Sequence, residues 1–267
     1  MSLEKQIKVQ GSLKDEETYG TPNYKLQEKV KENGERVYRR VEEDGDVYEG
    51  YLRNGQMDGK GKMIYAEGHV YEGYWKDNVM EGKGKIVYAN GNVYEGNWRD
   101  NAKDGKGKMI HEDGRIYEGD WLQNRKEGKG EMIDASGNSY QGTWRNSFME
   151  GKGKIIFKNG DIYEGNLEKN IREGKGTMWY ANGDTYEGAW KANVRHGRGK
   201  IVYKNGAVYT GDWIDNEIKD FFKSLSFVSD EPTEKKKWQE DSEDYYEDDH
   251  DYDHLWESFQ KSRRKID

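Results

Sequence analysis

The residue types that most often carry chemistry are sparse in this 267-residue chain, and their spacing argues for binding over catalysis. Five histidines occur, His69, His111, His196, His250 and His254. His250 and His254 stand at i, i+4, a spacing that puts two imidazoles on one helix face, as in zinc-binding helices. Nothing nearby completes a zinc motif and the chain has no cysteine, so no metal centre is expected. The acidic run Asp241–Asp253 lacks the glycine and the ligand spacing of an EF-hand loop. Gly-Lys-Gly recurs at Gly59–Gly61, Gly82–Gly84, Gly105–Gly107, Gly128–Gly130, Gly151–Gly153 and Gly174–Gly176, with Gly197-Arg198-Gly199 after it. A glycine loop with lysine cradles phosphate when a helix follows. No helix signal follows here, and the element returns at a fixed interval, so close packing of strands is the favoured reading. No nucleophile elbow, dinucleotide fingerprint or kinase motif set is present, and neither catalysis nor a cofactor is expected.

The elements that must position these residues follow from one periodicity. Tyr-x-Gly returns at Tyr48, Tyr71, Tyr94, Tyr117, Tyr140, Tyr163, Tyr186 and Tyr209, every step 23 residues. A fixed short period predicts an array in which each unit packs on its neighbours. Within a unit, two β-prone runs such as Met63–Tyr65 and Val70–Trp75 flank Glu67-Gly68, which becomes Asn90-Gly91, Asp113-Gly114, Ser136-Gly137, Asn159-Gly160, Asn182-Gly183 and Asn205-Gly206. Such dipeptides predict a two-residue hairpin turn with both residues at positive φ, which would pair Ile64 with Tyr71 and Lys62 with Gly73. A second turn joins successive hairpins. Its residue three after the tryptophan position is Gly55, Asn78, Asn101, Asn124, Ser147, Asn170, Asn193 or Asn216, and positive φ is expected there. Ser147 is the misfit, for which a looser loop is expected. Alternation puts Tyr71, Gly73 and Trp75 on one strand face and Glu72, Glu95, Glu118, Glu164 and Glu187 on the solvent face.

These residues resemble the MORN repeat, whose pattern is Tyr-x-Gly-x-Trp-x-x-Gly-x-x-x-Gly-x-Gly, over about residues 45–216. Leu52 and Leu167 depart from it at the tryptophan, Asn usually stands for the first following glycine, and Tyr140-Gln141 and Tyr209-Thr210 lack the usual glutamate. The resemblance implies an all-β fold: an elongated, single-layer, twisted antiparallel sheet of eight β-hairpin repeats. It implies that the aromatic row lines a groove and packs the repeats. The candidates for both roles are Tyr71, Trp75, Tyr94, Trp98, Tyr117, Trp121, Tyr140, Trp144, Tyr163, Tyr186, Trp190, Tyr209 and Trp213. It also implies a non-enzymatic scaffold for protein partners in a multi-subunit assembly, with ciliary radial-spoke heads, other axonemal assemblies and the cytoskeleton as the favoured setting. A membrane-associated module and a regulatory subunit of a kinase or phosphatase are the alternatives.

Composition bounds these readings. Hydrophobic residues are 32% and charged residues 36%, yet aromatics reach 13%, which suits a thin structure built on amphipathic rings. No run is long and apolar enough for a membrane span, no secretory signal is evident at the start, and cysteine is absent, so a soluble cytoplasmic protein is expected. The net charge of −8 is unevenly placed: residues 45–220 hold 27 Lys/Arg and 28 Asp/Glu, whereas residues 221–267 hold 8 and 14. A nearly neutral array does not attract nucleic acid or anionic lipid at long range. The expected organisation is an extended N-terminal arm over 1–36, the array with a degenerate leading cap over 37–219, a capping segment over 220–228, an acidic tail over 229–253 that is disordered or ordered by a partner, and a docking helix over 254–267 carrying Leu255, Trp256 and Phe259. Open sheet ends leave a homodimer open as an alternative to capping.

Overall fold

The computed structural model describes residues 24–31, 34–219 and 226–227, and all regular structure among them is β-strand. The chain divides into two compact units, residues 1–130 and 131–267. In the first, strands β1 (Tyr24–Val30), β2 (Arg36–Glu42), β3 (Val47–Arg53), β4 (Gln56–Ile64), β5 (Val70–Lys76), β6 (Val79–Val87), β7 (Val93–Arg99), β8 (Ala102–Ile110) and β9 (Ile116–Leu122) pair antiparallel in chain order. The unit boundary falls within β10 (Arg125–Ile133). In the second unit, β11 (Ser139–Arg145), β12 (Phe148–Ile156), β13 (Ile162–Glu168), β14 (Ile171–Trp179), β15 (Thr185–Lys191), β16 (Val194–Val202) and β17 (Ala207–Ile214) repeat the arrangement. Two short strands, β18 (Glu217–Ile218) and β19 (Ser226–Phe227), both pair with β17. Among the described residues pairing starts at Tyr24, ahead of residue 37, because Tyr24, Leu26 and Glu28 alternate with the exposed Lys25, Gln27 and Lys29. The acidic tail and the segment with Leu255, Trp256 and Phe259 lie outside the described residues, as does most of the expected 220–228 cap.

The first turn departs from the sequence expectation, and the second has the positive φ expected of it. At the Glu67-Gly68 turn, the Gly68 amide donates to the Tyr65 carbonyl (2.8 Å) and the Tyr65 amide to the His69 carbonyl (2.9 Å). The loop therefore has three residues, and only its glycine has positive φ (+90°). The register moves by one: Met63 pairs with Tyr71, Lys62 with Glu72 and Gly61 with Gly73. The two-residue turn with both φ positive lies instead at the second turn, with Asp77 at +48° and Asn78 at +70° between the paired Lys76 and Val79. Ser147 adopts the same geometry at +70°, with no looser loop, because the strand pair on either side fixes the turn length.

The asparagine preference has a further cause. Asn78 returns a β-like pair to the preceding repeat: its amide donates to the Met57 carbonyl (3.1 Å) and its Oδ1 accepts from the Met57 amide (2.8 Å). Asn101 with Met80, Asn124 with Lys103, Asn170 with Met149, Asn193 with Arg172 and Asn216 with Arg195 repeat the exchange. A left-handed residue with a side-chain acceptor thus stitches turn to turn where no strand reaches. Between Gly73 and Trp75 the register against β6 slips, leaving Glu81, Gly82 and Lys83 opposite Tyr74. This bulge recurs with the repeat and bends the strand.

Candidate functional site

The expected aromatic row forms the core. Tyr71, Tyr94, Tyr117, Tyr163 and Tyr186 have no exposed surface, and Trp75, Trp98, Trp121, Trp144, Trp190, Tyr209 and Trp213 are buried. The rings of Tyr71, Tyr94, Tyr117, Tyr163 and Tyr186 each lie over a cross-strand glycine pair, such as Gly73 and Gly84 beneath Tyr71. The hydroxyl donates to the carbonyl three residues on: Tyr71 to Tyr74 (3.0 Å), Tyr94 to Asn97 (2.9 Å), Tyr163 to Asn166 (2.8 Å). Each indole donates to a glycine carbonyl of the neighbouring strand, Trp98 to Gly84 (3.1 Å) and Trp190 to Gly176 (3.1 Å). In the first unit the rings meet edge to face from Tyr48 through Trp75, Tyr71, Trp98, Tyr94 and Trp121 to Tyr117, at centroid separations of 5.1–5.7 Å. In the second, Tyr163, Trp190, Tyr186, Trp213 and Tyr209 do the same. Burial pushes the phenol of Tyr71 well above its ordinary range and that of Tyr186 up to about 12. A partner touching this face meets other side chains.

Tyr140 is the exception. Its hydroxyl turns to Asp134 Oδ2 (2.8 Å), and the seats over Gly142 and Gly153 are taken by the Met149 methyl and by Leu167. Asp134 stands where other repeats place Tyr65, Tyr88, Phe157 or Tyr180, and offers the phenol a charge-assisted acceptor. Burial and the Asp134 hydrogen bond raise the Tyr140 phenol to about 12. Burial works to raise the Asp134 carboxyl, but hydrogen bonds from Asn138, Tyr140 and the Ser136 amide prevail and hold it below its usual value.

Over the buried ladder stands a second layer that sequence reasoning missed. The residue five after each tryptophan position is Met57, Met80, Lys103, Lys126, Met149, Arg172 or Arg195, and Ile218 after the last. Lys103 Nζ lies 4.9 Å from the Trp121 ring and 5.5 Å from Tyr94, and Lys126 Nζ lies 4.8 Å from Tyr117. Arg172 stacks 4.6 Å from Trp190, and Arg195 4.3 Å from Trp213. Half-burial lowers the Lys103 ammonium, and burial with the nearby Arg115 charge brings Lys126 down to about 8. The shared feature of Met, Lys and Arg at this slot is a long unbranched stem that covers an indole, with a cation adding attraction to the ring. Beside this layer stand the half-buried Tyr65, Tyr88, His111, Phe157, Tyr180 and Tyr203. In the second unit Tyr180, Arg195, Tyr203, Trp213 and Ile218 line an open cavity of about 560 Å³.

The histidines of the described residues serve turn and packing contacts. His69 Nδ1 accepts from the Ala89 amide (2.9 Å), a turn-stitching role shared with Asp46, Asn92 and Asp184. His111 stands in the slot of Tyr65 and Tyr88, with its pKa lowered by burial. His196 lies 3.4 Å from Asp215. Among the described residues no three metal-ligating side chains come together, and no helix is long and apolar enough to cross a membrane.

Solved structures resemble this fold at low identity. A point mutant of the TCP10 domain of Danio rerio CPAP matches with 16% identity over 72% of this chain and 91% of that one, TM-score 0.42. The SAS-4 (dCPAP) TCP domain of Drosophila melanogaster, in complex with a proline-rich motif of Ana2 (dSTIL), matches with 15% identity over 67% and 99%, TM-score 0.39. A streptogramin B lyase matches with 14% identity over 72% and 76%, TM-score 0.15. At these values the likenesses carry no argument about function. No curated protein matches the chain. The MORN repeat profile, by contrast, matches seven consecutive segments, 48–70, 71–93, 94–114, 117–139, 140–162, 163–185 and 186–208. With more than half of the chain in matched repeats whose glycine-seated tyrosines and stacked indoles are now accounted for, this protein belongs to the MORN-repeat family.

Proposed function

We propose that the protein is a non-enzymatic scaffold that binds partner proteins across the aromatic–cationic layer above its buried ring ladder. The observation that carries this reading is Arg195 fixed between the Trp213 ring (4.3 Å) and the Asn216 carbonyl (2.9 Å), at a cavity walled by Tyr180 and Tyr203. Half-buried aromatics and a held guanidinium lose little side-chain freedom on binding, and such residues dominate protein interfaces. A partner segment with an apolar or aromatic anchor fits this cavity. The setting we propose is a ciliary or other cytoskeletal assembly. Its support is the resemblance of the repeat array to those of radial-spoke heads.

The test is crosslinking mass spectrometry on the tagged full chain in its own cells, beside a Tyr180→Ser/Tyr203→Ser variant. Crosslinks from residues 180–218 to cytoskeletal proteins, lost in the variant while its β circular dichroism persists, support the proposal. Crosslinks unchanged by the variant remove the cavity from the interface. Crosslinks confined to membrane proteins or to one enzyme favour the lipid-associated or regulatory-subunit alternatives.

A further inference from the structure

In the second unit, the face opposite the ring ladder presents a row of charge without ion pairs among the described residues. The middle residue of each Gly-Lys-Gly points away from the rings and is exposed; in the second unit these are Lys152 on β12, Lys175 on β14 and Arg198 on β16. Their cross-strand neighbours are Asn166, Ala189 and Asp212, so the row carries three cations against one carboxylate. None of the three is in an ion pair among the described residues. The adjacent row is different: there Lys154 pairs with Glu164 at 2.8 Å and Lys200 sits beside Glu187. Because the three cations stand on alternate strands, they are about 9–10 Å apart.

An occupant for this row lies in the same chain. From Glu240 to Asp253 there are nine carboxylates and no Lys or Arg. Asp241, Asp244 and Glu247 recur every third residue, which in an extended chain is again about 10 Å. The described chain ends at β19, paired to Ala207 and Val208 of β17, one strand from Arg198. The 14 residues from Phe227 to Asp241 reach up to about 46 Å, more than twice the roughly 19 Å from Arg198 to Lys152 across four strand spacings. On the same face Trp179 is 40% exposed, available to Tyr245 or Tyr246 of the segment.

We infer that the acidic segment 240–253 docks on the Lys152–Lys175–Arg198 row of its own chain and covers it. The contact is electrostatic, exposed and weak per pair, and it holds by local concentration: the segment is tethered a short distance from its site. It screens the row from other anions and releases it when a stronger anion, or salt, competes. This inference stands on the face opposite the proposed partner surface and does not depend on that reading.

The test is zero-length carbodiimide crosslinking of the full chain, using a mixture of unlabelled and ¹⁵N-labelled protein. The expected result is same-isotope crosslinks from Lys152 and Lys175 to carboxylates of 240–253, about fivefold above those from the exposed turn residues Lys158 and Lys204, and suppressed at about 0.5 M salt. Arg198→Glu, which keeps both amines, should lower those crosslinks about threefold. Asp241→Asn/Asp244→Asn/Glu247→Gln, which cannot disturb the strands, should lower crosslinks through the remaining carboxylates of the segment. Crosslinks spread evenly over all four lysines, or insensitive to both variants, overturn the inference. Mixed-isotope crosslinks alone also overturn it, in favour of a second copy's tail.

Discussion

At the level of single residues, glycines set the tolerance of the array. A Cβ on Gly119 would lie 2.5 Å from the Gly130 Cα and 2.7 Å from the Tyr117 hydroxyl, two positions fixed by the sheet and the ring. A Cβ on Gly142 meets the Met149 methyl at 3.0 Å and the Gly153 Cα at 3.1 Å, and a methionine end can move. Gly119→Ala is therefore expected to cost about 2–4 kcal/mol and Gly142→Ala under about 1.5 kcal/mol, by urea denaturation. Ser147 holds a φ of +70° that asparagine adopts at less cost, so Ser147→Asn should raise stability by about 0.5 kcal/mol. The exposed-glutamate expectation is refined at the same scale: Glu118 is half-buried and ion-paired with Lys108 at 3.2 Å, whereas Glu72 and Glu187 are solvated.

At the level of the hairpin, the unit with Asp134, Tyr140 and Leu167 is a local variant of the repeat. Its phenol–carboxylate bond replaces the ring-on-glycine seat. Because the folded-state pKa of Asp134 is depressed, its contribution to stability is full above the ordinary carboxylate range and is lost as pH falls through the lowered value. Asp134→Asn should accordingly flatten part of the stability loss between about pH 5 and pH 3 relative to the parent protein, read from denaturant midpoints. An unchanged slope would mean the carboxyl titrates alike in both states.

At the level of the whole molecule, the fixed period makes the array additive. Within the first unit each strand pairs with its chain neighbours, so stability there is a sum of repeat and nearest-neighbour terms. Excising residues 94–116, one full period within the first unit, should leave a cooperatively folding protein with unchanged β circular dichroism per residue. Excising 22 residues, 94–115, shifts alternation by one and turns the core rings beyond the cut to solvent, so that variant should fail to fold. Equal behaviour of the two deletions would contradict the register described here.

The 23-residue period, the tyrosine–glycine alternation and the polar composition by themselves determined hairpins, their order and which face holds the rings. They did so because alternation of side chains and adjacency of repeats are properties of a chain that pairs only with its neighbours. Tertiary structure decided the rest. A dipeptide such as Asn90-Gly91 fits a two-residue or a three-residue loop, and the strand register that sets Gly84 opposite Gly96 selects the latter. The asparagines answer to a carbonyl and an amide 21 residues away, and Lys103, Arg172 and Arg195 answer to the indole of the following repeat, distances that a periodic sequence does not reveal. The same packing buried the rings expected both to line a groove and to pack the repeats, and left Lys103, Lys126, Arg172 and Arg195 half-buried above them.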